Sequence, residues 1–144
     1  MAIFSFLTGS KEAQNEAYLR NLILMARSDN DIDKSEVNVI VKIGIERGFT
    51  EGQIKKMLEN DKRNELFVPD NDHERFDQLY DLTQVMLADG IIEDGEMEYC
   101  TNFANKIGFR KTISWLLILL ILEGVEKGVD KEWIYHRCKH FLSV

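Results

Sequence analysis

Residues 25–36 read Met25-Ala26-Arg27-Ser28-Asp29-Asn30-Asp31-Ile32-Asp33-Lys34-Ser35-Glu36. The stretch sits between two helical patterns. Upstream, Leu19, Leu22, Ile23 and Ala26 fall at i, i+3, i+4 and i+7. Downstream, Val37, Ile40, Val41 and Gly44 repeat that spacing. Asp33 and Glu36 stand where a capping box needs them: the cap oxygen takes the N3 amide and the glutamate reaches back to the cap amide. The spacing predicts two helices joined by a short acidic corner, with Ile32 pinning the turn to the core.

The corner recurs. Moved on by 60 positions, Leu19, Leu22, Asp29, Ile32, Glu36, Gly48 and Phe49 meet Leu79, Leu82, Asp89, Ile92, Glu96, Gly108 and Phe109, identical at every pair. The second corner reads Met86-Leu87-Ala88-Asp89-Gly90-Ile91-Ile92-Glu93-Asp94-Gly95-Glu96, with Ile92 as its expected pin. Gly48-Phe49 and Gly108-Phe109 both suit a helix ending in a left-handed glycine, with an apolar residue folding back. One unit of about 40 residues has too little core to stand alone, so the halves, 15–60 and 75–120, are expected to pack on each other. The expected fold class is all-α: one bundle of about seven helices, 1–144, with pseudo-two-fold duplication and a C-terminal helix at 131–142. Helices are expected near 11–28, 34–47, 51–60, 72–88, 94–107, 111–127 and 131–141, with 61–72 as connector. Thr50 and Asp130 are candidate caps, and Val129 with Ile134 forms a candidate staple. No alternating strand pattern or hairpin dipeptide competes with this reading.

Composition narrows the function. With 18 basic and 25 acidic residues the formal net charge is −7, which argues against nucleic acid or an anionic membrane as main partner. The run Trp115–Leu122 is too short to span a bilayer, which takes about 20 apolar residues, and is expected to be a buried helix. The N-terminus lacks the basic region of a signal peptide, and its apolar residues Ile3, Phe4, Phe6 and Leu7 are expected to dock on the body or fray. Cys100 and Cys138 share no motif spacing. The expectation is a cytoplasmic protein with two free thiols.

The acidic residues divide by position. Glu36 and Glu96 lie near helix N-termini, where the dipole favours a carboxylate by about 0.3–1 kcal/mol. Asp29 and Asp89 lie near helix C-termini, where it does the opposite. Turn chemistry, a basic neighbour or a bound cation would compensate. The candidate cation ligands are Asp29, Asp31, Asp33, Glu36, Asp89, Glu93, Asp94 and Glu96, an all-oxygen set that fits Ca²⁺ or Mg²⁺. An EF-hand is excluded: Lys34 stands where the sixth loop position needs Gly, and Ile40 where the twelfth needs Glu.

These corners resemble the TerB-like family, associated with bacterial tellurite resistance. Its pattern is an Ala-x-x-Asp-Gly-x-Ile/Phe-x-x-x-Glu corner followed by a helix ending in Gly. Here Ala26, Asp29, Ile32, Glu36 and Gly48 carry it, and again Asp89, Gly90, Ile92, Glu96 and Gly108. The resemblance covers roughly residues 15–125. It implies a seven-helix bundle, a stress-linked cytoplasmic role, and acidic corners as metal or partner sites. Asn30 departs from the pattern's Gly but tolerates the left-handed region. Glu93 departs at the cap position, where it is a poor cap.

Other signals are weaker. His136 and His140 share a helix face, but no acidic residue follows them. Trp115, Trp133 and Tyr135 read as core or interface anchors. Gly124–Gly128 has the wrong context for a phosphate loop, and no nucleophile–base arrangement is visible. The expected function is therefore a non-enzymatic, stress-associated acidic binding or adaptor domain for an unknown protein partner. A structural interaction domain acting as a homodimer is the alternative, and a carboxylate-metal hydrolase the distant third.

Overall fold

A computed structural model describes residues 11–27, 32–59, 67–88, 90, 92–107 and 109–141. Asp29, Asp31 and Asp89 lie outside the described residues, as do the apolar N-terminal residues, Gly108 and most of the connector. Among the described residues the chain forms seven α-helices: α1 Lys11–Ala26, α2 Lys34–Glu46, α3 Glu51–Glu59, α4 Asp72–Leu87, α5 Asp94–Lys106, α6 Ser114–Glu126 and α7 Lys131–Cys138. No strand is present among them. Short 3-10 turns at Lys111–Ile113 and Lys139–Phe141 lead into α6 and continue α7. The all-α bundle of seven helices expected from the sequence is observed among these residues.

Local chemistry accounts for the boundaries. Asp33 caps α2 through the Ser35 amide, and Glu36 accepts the Asp33 amide at 2.9 Å. Thr50 caps α3 by accepting the Gln53 amide at 3.1 Å, while Gln53 accepts the Thr50 amide at 2.8 Å. Asn71 caps α4 through Glu74, and Asp130 caps α7 through Trp133. At the end of α2 the Phe49 amide reaches the Gly44 carbonyl, with Gly48 at φ +100° between them. The same long reach joins Phe109 to Ala104 after α5 and Val129 to Gly124 after α6. Each satisfies a carbonyl that the helix end would otherwise leave open.

α4 is the central element. It packs on α1, α2, α5 and α6, and α7 packs on α6. The core runs continuously from Tyr18, Leu19 and Leu22 through Phe76, Leu79 and Leu82 to Phe103, Ile118 and Ile121. Because α4 is surrounded, Asp77, Gln78, Asp81 and Thr83 are buried with its apolar residues, and Asp77 Oδ1, which accepts no hydrogen bond, faces the Lys131 ammonium at 2.8 Å. Gln78 accepts from Asn21 at 2.9 Å and donates to the Tyr18 carbonyl at 3.3 Å. Asn21 in turn exchanges hydrogen bonds with the backbone of Phe67, fixing the described end of the connector to the core.

Three expectations need correction. Ile92 does not pin the second corner: it is 41% exposed, whereas Ile32 packs against the core. Trp115 and Trp133, expected as core or interface anchors, are 54% and 52% exposed, which removes the core role. The Trp115–Leu122 helix is buried on one side only. Leu117, Ile118, Ile121 and Leu122 face inward, while Leu116 and Leu119 face solvent. A helix at the edge of a bundle has a solvent side whatever its composition, and here that side is leucine and tryptophan.

Candidate functional site

The sequence points to the acidic corners. Of the eight candidate ligands, Asp33, Glu36, Glu93, Asp94 and Glu96 are described. Glu36 and Glu96 are buried and each accepts the amide three residues back, from Asp33 and Glu93, at 2.9 and 3.1 Å. Their burial thus follows from helix capping. Asp33 is occupied by Ser35, whose amide and hydroxyl hydrogen bonds hold the carboxyl below its usual pKa. Glu93 and Asp94 are exposed and form no ion pair among the described residues. No group of three or more His, Cys, Asp or Glu is placed to hold a metal ion among the described residues. His136 and His140 are both exposed. Cys100 and Cys138 are free and buried, and burial pushes the Cys138 thiol up to about 12.

A second constellation escaped the sequence reading. α4 presents Asp77, Tyr80, Asp81 and Gln84 at i, i+3, i+4 and i+7, one face of a helix. Tyr18 of α1 donates its hydroxyl hydrogen to Asp81 Oδ2 at 2.6 Å, in the interior. Gln84 donates to Asp81 Oδ1 at 3.2 Å. From the C-terminal cap of α2, the Arg47 guanidinium lies 3.4 Å from the centroid of the Tyr18 ring, donates to Asn15 and pairs with Glu74 at 3.2 Å. From α7, Lys131 Nζ lies 2.8 Å from Asp77 Oδ1 and 5.1 Å from the centroid of the Tyr80 ring. His73 bridges Asp77 and Glu132, 3.5 and 3.1 Å away.

Burial sets the protonation of this cluster. It pushes the Asp81 carboxyl up to about 6, against the Tyr18 hydrogen bond and the charges of Lys131 and Arg47, which pull it down. The Tyr18 phenol is raised by burial and by Asp81. For Arg47 and Lys131 burial acts to lower the pKa, but their anionic neighbours outweigh it and hold both above their ordinary values. These groups border a cavity of about 600 Å³ between α1, α2, α4 and α7, lined by Lys11, Lys42, Arg47, Tyr80, Asp81 and Lys131 among others. That volume is in the range of small-molecule sites, about 300–1,000 Å³.

The third feature is apolar. Trp115, Leu116 and Leu119 of α6 and Trp133 of α7 are 41–64% exposed. Beside them lie two smaller cavities of about 440 and 240 Å³, both lined by Leu120 and Arg137. The Arg137 guanidinium lies 4.9 Å from the centroid of the Trp133 ring system. Compared with protein-family models, curated proteins and solved structures, the chain matches none of them.

Proposed function

We propose that the protein is a stress-associated, cytoplasmic helical binding domain of the TerB-like kind, and that it works by holding a partner rather than by turning over a substrate. The two acidic corners support the TerB-like reading. The observation that carries the binding role is the exposed face of α6 and α7, where Trp115, Leu116, Leu119 and Trp133 stand in solvent. Large aromatic and aliphatic side chains grouped on a surface are what a protein interface buries. A second copy of the chain is the simplest occupant. Sedimentation of the full chain at low and high salt tests this. The expected result is a dimer that persists at high salt, because apolar burial is not screened. Leu116→Glu should abolish the dimer and leave a folded monomer whose melting temperature no longer depends on concentration, since Leu116 is 64% exposed. A monomer at every concentration would remove this reading.

A second reading keeps the acidic corners as sites for Ca²⁺ or Mg²⁺. Glu93 and Asp94 favour it, being exposed and unpaired by lysine or arginine among the described residues. Calorimetric titration of chelator-stripped protein should then give heat and a raised melting temperature at millimolar ion. Both effects should vanish in the double variant Asp29→Asn, Asp89→Asn. No heat from the unaltered protein would end the cation reading.

A further inference from the structure

The cavity between α1, α2, α4 and α7 has a charge pattern opposite to that of the chain as a whole. Lys11, Lys42, Arg47 and Lys131 line it, against Glu46 and Asp81, in a protein whose formal net charge is −7. Arg47 and Lys131 are already held from behind by Glu74 and Asp77. Lys11 and Lys42 have no carboxylate partner among the described residues. Two ammonium groups on one concavity are therefore available to a ligand.

The deeper wall asks for something different. Asp81 is buried and accepts one hydrogen bond at each oxygen, from Tyr18 and from Gln84. A carboxylate has about four acceptor positions, so Asp81 retains capacity for a donor on the ligand. Tyr80 supplies an aromatic surface beside it. A ligand matched to both walls carries two negative charges at one end and hydroxyl groups at the other. We propose that this cavity binds a small organic phosphate monoester, its phosphate between Lys11 and Lys42 and its hydroxylated body against Asp81 and Tyr80. A phosphate monoester carries about −1.5 to −2 charges at neutral pH, which matches the two free lysines, and lysine meets phosphate as a point charge. A monocarboxylate would leave one of them unanswered.

This site is separate from the association face and its test does not depend on the oligomeric state. The full chain is titrated calorimetrically with glycerol phosphate, inorganic phosphate and succinate, and backbone amide shifts are followed in parallel. Glycerol phosphate is expected to bind with saturation, moving the amides of Ile43, Arg47 and Gln84. Inorganic phosphate should move Ile43 and Arg47 but bind more weakly, since it lacks the body. Lys42→Glu and Lys11→Glu should each weaken glycerol phosphate at least tenfold. Lys34→Glu makes the same charge change at the far end of α2 and should bind as the unaltered chain does. Lys11, Lys34 and Lys42 are exposed, so all three variants should fold. The proposal is overturned by no binding of glycerol phosphate up to about 10 mM, by succinate binding as tightly as the ester, or by Lys42→Glu behaving like Lys34→Glu.

Discussion

Asp81 is a carboxyl that the fold holds at a cost. Its folded pKa, about 6, lies above the ordinary 3.8, so the folded state holds the proton more tightly than the unfolded chain. The contribution of Asp81 to stability is therefore fullest below about pH 4, falls as pH rises from about 4 to about 6, and stays reduced above. The span corresponds to about 3 kcal/mol. Asp81→Asn removes the charge but keeps an acceptor for Tyr18. It should stabilise the protein at pH 7 by about 1–2 kcal/mol, less than the full span because the amide offers fewer acceptors, and flatten the slope between pH 4 and 6. Urea unfolding across that range measures both. Tyr18→Phe should act in the other direction, costing about 1–3 kcal/mol by leaving Oδ2 of a buried carboxyl without its donor. Groups retained against stability mark functional sites more often than chance. The sequence did not reveal this one, because Tyr18, Arg47, Asp81 and Lys131 are far apart along the chain and meet only once the helices pack. The one local signal was a polar stripe, Asp77, Asp81 and Gln84, and it does not stand out in a helix that also carries Asp72, His73, Glu74, Arg75, Gln78 and Thr83.

Helix boundaries, by contrast, were legible because capping is local. Asp33 with Glu36, Thr50 and Asp130 did what their spacing predicts. One element-scale device was missed. A Cβ on Gly44 would lie 2.4 Å from Ile54 Cδ1, and one on Gly124 would lie 2.6 Å from Ile134 Cδ1. The partner lies ten residues on in both pairs, so α2 meets α3 as α6 meets α7, with bare backbone against a buried isoleucine. Both stretches have the same sequence form, Gly44-Ile45-Glu46-Arg47-Gly48 and Gly124-Val125-Glu126-Lys127-Gly128. That shared form is the sequence signal of the device. Alanine is the better helix former by about 1 kcal/mol, yet overpacking a closed contact costs about 1–3 kcal/mol. Gly44→Ala should therefore destabilise, by up to about 2 kcal/mol. Gly52→Ala is the control: its Cβ would meet nothing closer than 3.9 Å, so it should stabilise slightly. Thermal melts of the two variants check the sign.

At the scale of the molecule, helical periodicity was enough for the fold class, since one continuous core joins every helix. It could not say which apolar side chains would be left outside. Trp115 and Leu117 look alike in a hydropathy pattern, and only the position of α6 at the bundle edge separates them. Both tryptophans of the chain ended up on that outer side. The protein's ultraviolet emission is thus a reporter of α6 and α7 and nearly blind to the interior. In dilute solution it should resemble that of indole in water. It should shift to the blue as concentration rises and the chains associate, and Leu116→Glu should suppress that shift. A melt followed by this light alone would register the loss of the half-covered surroundings on α6 and α7 and little of the interior.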